Sequence, residues 1–524
     1  MITPAELAAL RVQETPHALL DLRERAAYER SHVYGATSLP RRLVEFRLPA
    51  LVTAPATTLV IYDDDGTLVE RARTTLAAMG YRAVRALAGG LTGWRAAGRP
   101  VVQGLNVPSK VFGEQMLHAL HTPEIAPHDL AARIAARDDL LIVDARTPEE
   151  YARGCIPGAW SVPGGELVLR IMDLAPRPDT TIVVHCGGRT RSYIGAESLR
   201  RVGLPNPIVA LRNGTMGWEL AGLTLERGAT RTPPPPSVRG REAAARAAQR
   251  VAKEDGVAFI DLEALRAAQA RAREQNLAVL DVRTAAEYEA GHVTGARWAP
   301  GGQLVQATDE YVAARATRIV LVCDGGERSV MTAAWLRRMG FPDVAVLAGG
   351  LHAWREAGGA LERGRGLSPP FGYEVARARV VAVAPPAISD AVVLDVDTSD
   401  VYARGHVPGA GWMCRSRLET RIAAVVPDTS RPVLVTCADG VASTLAAATL
   451  CDLGYDARVL AGGTRAWEEA GLPVERGLSR LFDDPDDVVL KPYERGRAAM
   501  EAYLRWETAL DDEGRSPHAL LPPR

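Results

Sequence analysis

Four stretches of the chain carry one pattern: LLDLRERAAYERSHVYGA (19–36), IVDARTPEEYARGCIPGA (142–159), VLDVRTAAEYEAGHVTGA (279–296) and VLDVDTSDVYARGHVPGA (393–410). The landmarks that follow keep fixed distances. Asp21, Asp144, Asp281 and Asp395 each stand 42 positions before Asp63, Cys186, Cys323 and Cys437, and a glycine (80, 203, 340, 454) follows 17 further on. Each repeat then closes on a Gly-rich turn and a tryptophan: LAGGLTGW (87–94), LRNGTMGW (211–218), LAGGLHAW (347–354) and LAGGTRAW (460–467). Such regularity is the signature of a tandem array of one unit.

Within the unit, short Val/Ile/Leu runs such as TLVIY, TIVVH and RIVLV read as strands buried on both faces. Stretches such as ERARTTLAAMG and SVMTAAWLRRMG have helical period. The alternation predicts α/β domains, each a small doubly wound parallel sheet flanked by helices. A chain of 524 residues is too long for a single core in any case. Pro-, Gly- and Asp-rich stretches mark the boundaries. They give domain 1 at 1–104, a linker plus domain 2 at 105–230, a Pro-rich linker plus domain 3 at 231–364, domain 4 at 365–477, and a tail at 478–524 with an amphipathic helix over 493–510. The run TPPPPS is expected to part the chain into two consecutive pairs of domains, and the tail helix to serve packing.

Net charge is −1, from 62 basic and 63 acidic residues, which argues against nucleic-acid or membrane binding by a global field. The start MITPAELAAL has no signal-peptide features and reads as a capped helix, Thr3 to Glu6. A cytoplasmic location is expected, where thiols stay reduced. The six cysteines form no CxxC or Cys/His cluster, so no zinc site is expected.

Two stretches carry the chemistry. HCGGRTRS (185–192) and VCDGGERS (322–329) place Cys186 and Cys323 just after a buried strand, where open α/β sheets put their ligands. The backbone of Gly187, Gly188, Gly325 and Gly326 can curl into a nest of N–H donors backed by a helix N-terminus, which favours a thiolate. Arg191 and Arg328 lie five positions after their cysteines. A cradled thiolate suits attack on sulfane sulfur or on phosphate, and Cys-x4-Arg is a short loop, better fitted to a single sulfur atom than to a tetrahedral phosphate.

These motifs resemble rhodanese-like (thiosulfate sulfurtransferase-like) domains, four times over: the D-x-R…E-Y…G-H-x-x-G-A entry, the C-x-x-G-x-R-S loop met in full by Cys323–Ser329, and the closing L-x-G-G-x-x-x-W. The resemblance implies double displacement, in which a cysteine takes sulfur from a donor, holds it as a persulfide, and passes it to a nucleophile. No metal or organic cofactor is implied.

The copies differ. Repeat one has Asp63 for cysteine and Leu68 for arginine, so it is expected to be inactive, its DDD loop solvated rather than cation-binding. Repeat two adds Arg189, two cations that favour an anionic donor, and has Cys155 where the others have His32, His292 and His406. Cys155 is read as buried filler and the histidines as architectural. Repeat three carries Asp324 and Glu327, which favour a persulfide or a neutral or zwitterionic thiol. Repeat four keeps Cys437 but has Ala442 and Asp397 in place of arginines, a degenerate site. Cys414 and Cys451 are read as packing residues, and Trp94, Trp218, Trp354 and Trp467 as core.

The expected function is sulfur transfer with Cys186 and Cys323 as carriers. Gly187, Gly188, Arg189, Thr190, Arg191 and Ser192, and Asp324, Gly325, Gly326, Glu327, Arg328 and Ser329, form the substrate loops. Cys437, Trp160 and Trp298 are secondary candidates, the tryptophans as pocket walls. Partners are a small-molecule sulfur donor and a thiophilic acceptor, with a sulfur-acceptor protein as a further class. Two competent loops raise relay between them. The rival readings are a cysteine phosphatase or arsenate reductase, and a sulfur-trafficking scaffold.

Overall fold

The apolar runs become the central strands of four parallel sheets in a computed structural model that describes residues 1–510 apart from 14, 176, 367 and 386–389. Residues 511–524 of the expected tail lie outside the described residues. In domain 2, Thr181–His185 lies between Leu140–Asp144 and Ile208–Leu211, with Trp160–Ser161 and Glu124–Ile125 at the edges. Every pairing is parallel. Domains 3 and 4 repeat this order, and domain 1 keeps four strands plus a parallel bridge from Ile2 to Leu87.

The repeated polar residues lock each unit. Asp21, Asp144 and Asp281 are buried at strand ends and gripped by Arg23, Arg146 and Arg283 at 2.6–2.7 Å. Domain 4 has Asp397 at that place, and burial, with Asp397 beside it, pushes the Asp395 carboxyl up to about 7. Tyr28, Tyr288 and Tyr402 stack on His32, His292 and His406 with ring centroids 3.7 Å apart. Cys155 takes the histidine's place in domain 2, buried and backbone-paired with Glu226, its thiol pushed up to about 11 by burial. The four closing tryptophans are buried, each indole N–H donating to a carbonyl six residues on.

The domains do not pair in chain order, which corrects the reading of the proline run. Domains 2 and 3 share one continuous apolar core, from Phe112 to Val346. The helix Val238–Glu254, which follows the prolines, packs on Leu167–Leu174 of domain 2 and Glu327–Arg338 of domain 3. The segments VPGGE and APGGQ cross at backbone contact. A Cβ on Gly165 would lie 3.1 Å from the Gly301 backbone, so a side chain there would force the two segments slightly apart. Domain 1 instead faces domain 4, through Arg415 on Glu45 (3.1 Å) and Ser416 on Glu24. It also receives Ala313 and Ala314 of domain 3 into its core. The extended prolines thus carry the chain between two partners that share a core, not between separate pairs.

The tail ties these pieces together. Leu481 bridges to Trp412 of domain 4, Asp487 accepts the Ser399 amide, and Arg495 pairs with Glu29 of domain 1. The helix Arg497–Thr508 then lies against the Cys186 loop of domain 2. No helix among the described residues is long and apolar enough to cross a membrane.

Candidate active site

Each cysteine loop sits on the N-terminus of the helix that the Gly-rich motif begins. The Cys186 carbonyl accepts the Thr215 amide at 2.8 Å. Gly214 has φ +55°, and a Cβ there would stand 2.2 Å from that same carbonyl. Gly90, Gly350 and Gly463 repeat the contact under Asp63, Cys323 and Cys437, which explains the invariance of this glycine across the four copies.

Domain 1 displays what the loop is built to hold. The Asp63 carboxylate, in the cysteine position, accepts the amides of Gly66, Leu68 and Val69 at 2.5, 2.6 and 3.2 Å. Of its neighbours, Asp64 pairs with Arg23 and Asp65 accepts the Thr67 amide. In domain 3 the amides of Gly326 and Ser329 point at Cys323 Sγ from 3.2 and 3.5 Å. In domain 4, Ser443 N–H and Oγ lie 3.4 and 3.3 Å from Cys437 Sγ, and burial pushes that thiol up to about 11. Domain 2 differs. The left-handed glycine that precedes the helix in the other three copies is Arg189, with φ −122°. Here the Cys186 thiol donates to Ser192 Oγ at 3.5 Å, and that hydroxyl donates to the Arg189 carbonyl.

Both loop arginines of domain 2 are spoken for. Arg189 forms a two-pronged pair with Glu114, both contacts 2.7 Å, and reaches Asn213. Arg191 grips Glu150 at 2.6 and 2.9 Å and touches Gln303 of domain 3. Burial opposes the Glu150 charge, but Arg191 outweighs it and holds that carboxyl well below the usual range. The two cations expected to favour an anionic donor are thus each paired with a carboxylate, Glu114 or Glu150. In domain 3, Arg328 is 3 % exposed at its side chain and bound to Glu287, Asp324 and, across the interface, Glu166. The Glu–Arg pair is absent from both other copies together, as Ala27 with Leu68 and Val401 with Ala442.

Cys186 and Cys323 are both buried, and the two loops differ in what lies beside them. Cys186, Gly187, Gly188, Arg189, Thr190 and Arg191 floor a cavity of about 390 Å³. Besides Glu29, Arg30, Glu150 and Met216 of the repeats, its walls include residues from outside the repeat pattern. Lys110 stands on the linker helix Val107–Leu120, and Tyr493, Tyr503, Trp506 and Glu507 come from the tail. The tail helix, expected to serve packing alone, is thus part of the site. Cys323 lines neither this cavity nor the Gly-lined slot between domains 2 and 3. Burial raises its thiol, with Arg328 only partly offsetting this, and the Glu327 carboxylate folds back over Gly325. Trp160 packs on the joint core, and Trp298 is 44 % exposed with its indole donating to the Arg283 carbonyl. Neither lines the Cys186 cavity.

Lys110, Glu114 and Glu507 escaped the reading of the repeats because they lie outside them. A signal was present: Val107, Lys110, Val111, Glu114 and Leu117 share one helical stripe, so two charges had to be buried with their apolar neighbours.

The fold defines one α/β domain used four times, three of them with a cysteine at the head of the loop. The rhodanese-like domain model matches residues 3–97, 126–221, 264–357 and 384–470, and the chain belongs to that family. It is similar along 99 % of its length to the crystal structure of a thiosulfate sulfurtransferase from Pseudomonas aeruginosa, with 40 % identity, a TM-score of 0.92 and 98 % of that chain covered. A thiosulfate sulfurtransferase of Azotobacter vinelandii is 31 % identical over 245 residues, 39 % of this chain and 89 % of that protein. A sulfurtransferase of Allochromatium vinosum is 34 % identical over 102 residues, 20 % of this chain and 92 % of that protein. The protein is a rhodanese-like sulfurtransferase that acts on small sulfur compounds.

Proposed function

We propose that Cys186 is the sulfur carrier and that thiosulfate is one of its donors. The Cys186 thiolate attacks the outer sulfur of thiosulfate, the S–S bond breaks, and sulfite leaves with the electron pair. The sulfur stays on Cys186 as a persulfide until a thiophilic acceptor removes it. The observation that carries this reading is the cavity of about 390 Å³ that Cys186 and its loop line. The domain 1 loop supports it by example, since three amides donate to the Asp63 carboxylate at the cysteine position. No metal or organic cofactor enters the scheme. Cys323 is read as closed in this arrangement, its loop roofed by Glu327 and its arginine tied into the interface.

The phosphatase reading is disfavoured by the same geometry. Phosphate recognition asks for a free bidentate guanidinium, and Arg191 is committed to Glu150.

Intact-mass analysis after thiosulfate treatment tests the assignment. Wild type and Cys323→Ser are expected to gain the mass of one sulfur atom, and Cys186→Ser none. Equal labelling of Cys186→Ser and wild type would overturn it.

A further inference from the structure

Thiosulfate leaves most of the Cys186 cavity empty. It has five non-hydrogen atoms, so even at water's share of about 30 Å³ each it occupies only about 150 Å³, against about 390 Å³ available. The surplus space lies under the tail, and two buried, oppositely charged side chains line it.

Glu507 is 1 % exposed. Its Oε1 accepts the Thr190 hydroxyl at 2.9 Å. Its Oε2 is buried beside the cysteine loop, 3.3 Å from where a Gly188 Cβ would stand, with the Tyr503 hydroxyl as a polar neighbour of the carboxylate but no hydrogen bond of good geometry. A buried acceptor of this kind is costly unless a ligand satisfies it. Lys110 is 5 % exposed and stands over the rings of Tyr503 and Trp506, its Nζ 4.9 and 4.7 Å from their centroids. Burial lowers its pKa to about 8, so it is mostly charged at neutral pH. Lys110 and Glu507 face the same cavity but form no ion pair with each other. A ligand that carries both an ammonium and a carboxylate satisfies both groups at once.

Resting on the reading of Cys186 as the carrier, we propose that Lys110 and Glu507 are specificity-determining residues selecting an amino-acid thiol as sulfur acceptor, its ammonium on Glu507 and its carboxylate on Lys110. The acceptor's thiolate attacks the outer sulfur of the Cys186 persulfide. A new S–S bond forms on the acceptor, and the bond from that sulfur to Cys186 Sγ breaks with its electron pair remaining on Sγ. The proton stays on the transferred sulfur, so the products are the acceptor's persulfide and the Cys186 thiolate, with no external oxidant or reductant.

The test preloads Cys186 with thiosulfate, removes the excess, and follows loss of the sulfur by intact mass at pH 7 in single turnover. The acceptors are L-cysteine, cysteamine (ammonium only) and 3-mercaptopropionate (carboxylate only), compared at equal thiolate concentration. Wild type is expected to discharge to L-cysteine at least tenfold faster than to either half-charged thiol. Glu507→Gln, which keeps the Thr190 contact, is expected to lose the preference over 3-mercaptopropionate, and Lys110→Met the preference over cysteamine. Circular dichroism checks that each variant is folded. Equal discharge to all three thiols by wild type would overturn the proposal without any variant, as would preferences unchanged in both variants. Failure of Cys186 to load would instead overturn the carrier assignment beneath it.

Discussion

Arg191 and Arg328 show how a residue that marks a catalytic loop becomes structural first. Each is held by the glutamate of its own entry motif, Glu150 or Glu287, and each also reaches across the interface between domains 2 and 3. Among the described residues, removing Arg328 takes the only cation from Glu287 and one of two from Glu166 and Asp324, which keep Arg170 and Arg283. Arg328→Met is therefore expected to cost about 3 kcal/mol, read as a lowered urea midpoint, while a substitution at exposed Arg365 leaves the midpoint in place. Asp395 makes the opposite case, a buried acid that lost its arginine. Its carboxyl is raised to about 7 in the fold, so between the ordinary carboxylate range and pH 7 the folded state holds a proton that the unfolded chain releases. Stability from this group is greatest in acid and falls as pH rises to about 7. Asp395→Asn should raise the thermal transition of domain 4 at pH 8, by an effect on the order of 2 kcal/mol, and change it little at pH 4. A gain of the same size at both pH values would contradict the assignment.

The tail helix Arg497–Thr508 is the element that turns an open cysteine loop into a walled cavity. Its seat depends on Gly104, which has φ +96° and lies so close to the Trp506 ring that a Cβ would stand 2.4 Å from it. Gly104→Ala must both strain the backbone, by about 1 kcal/mol, and push Trp506 away. The expected outcome is faster proteolysis within 478–510 and a red-shifted tryptophan emission, with the secondary structure of the four domains kept. An unchanged cleavage rate would mean that the helix is not seated on Gly104. The elements of the repeats were legible because a buried strand needs a run of β-branched residues and the glycine beneath the Cys186 carbonyl, Gly214, has no substitute. The tail's contribution was not, because an amphipathic stripe states that a helix is covered without naming what covers it.

At the scale of the whole molecule the pairing is nested, with domains 2 and 3 inside and domains 1 and 4 outside. The joint core of domains 2 and 3 is continuous across the boundary, so the fragment 105–364 is expected to melt as one cooperative transition. The fragment 1–230 divides that core, exposes its apolar face, and is expected to aggregate or to bind a hydrophobic dye. Cooperative folding of 1–230 with an inert 105–364 would refute the nesting. Domains 1 and 4 contribute differently to this arrangement. Their loops lack the Glu–Arg pair that domains 2 and 3 carry into their shared interface, and domain 1 together with the tail contributes Glu29, Arg30 and Tyr493 to the rim of the Cys186 cavity.

The sequence by itself determined the unit, its fourfold repetition, the parallel sheet, and the cysteine loops, because these rest on local periodicity and on backbone geometry that few residues allow. It also carried the loss of the nucleophile at Asp63, since that is a change of chemical group. Only the tertiary structure decided which cysteine faces a cavity, which domains share a core, and that Arg189 and Arg191 are neutralised. Those outcomes depend on side chains up to several hundred positions apart, such as Thr190 and Glu507, meeting in space, and no local pattern encodes such a meeting.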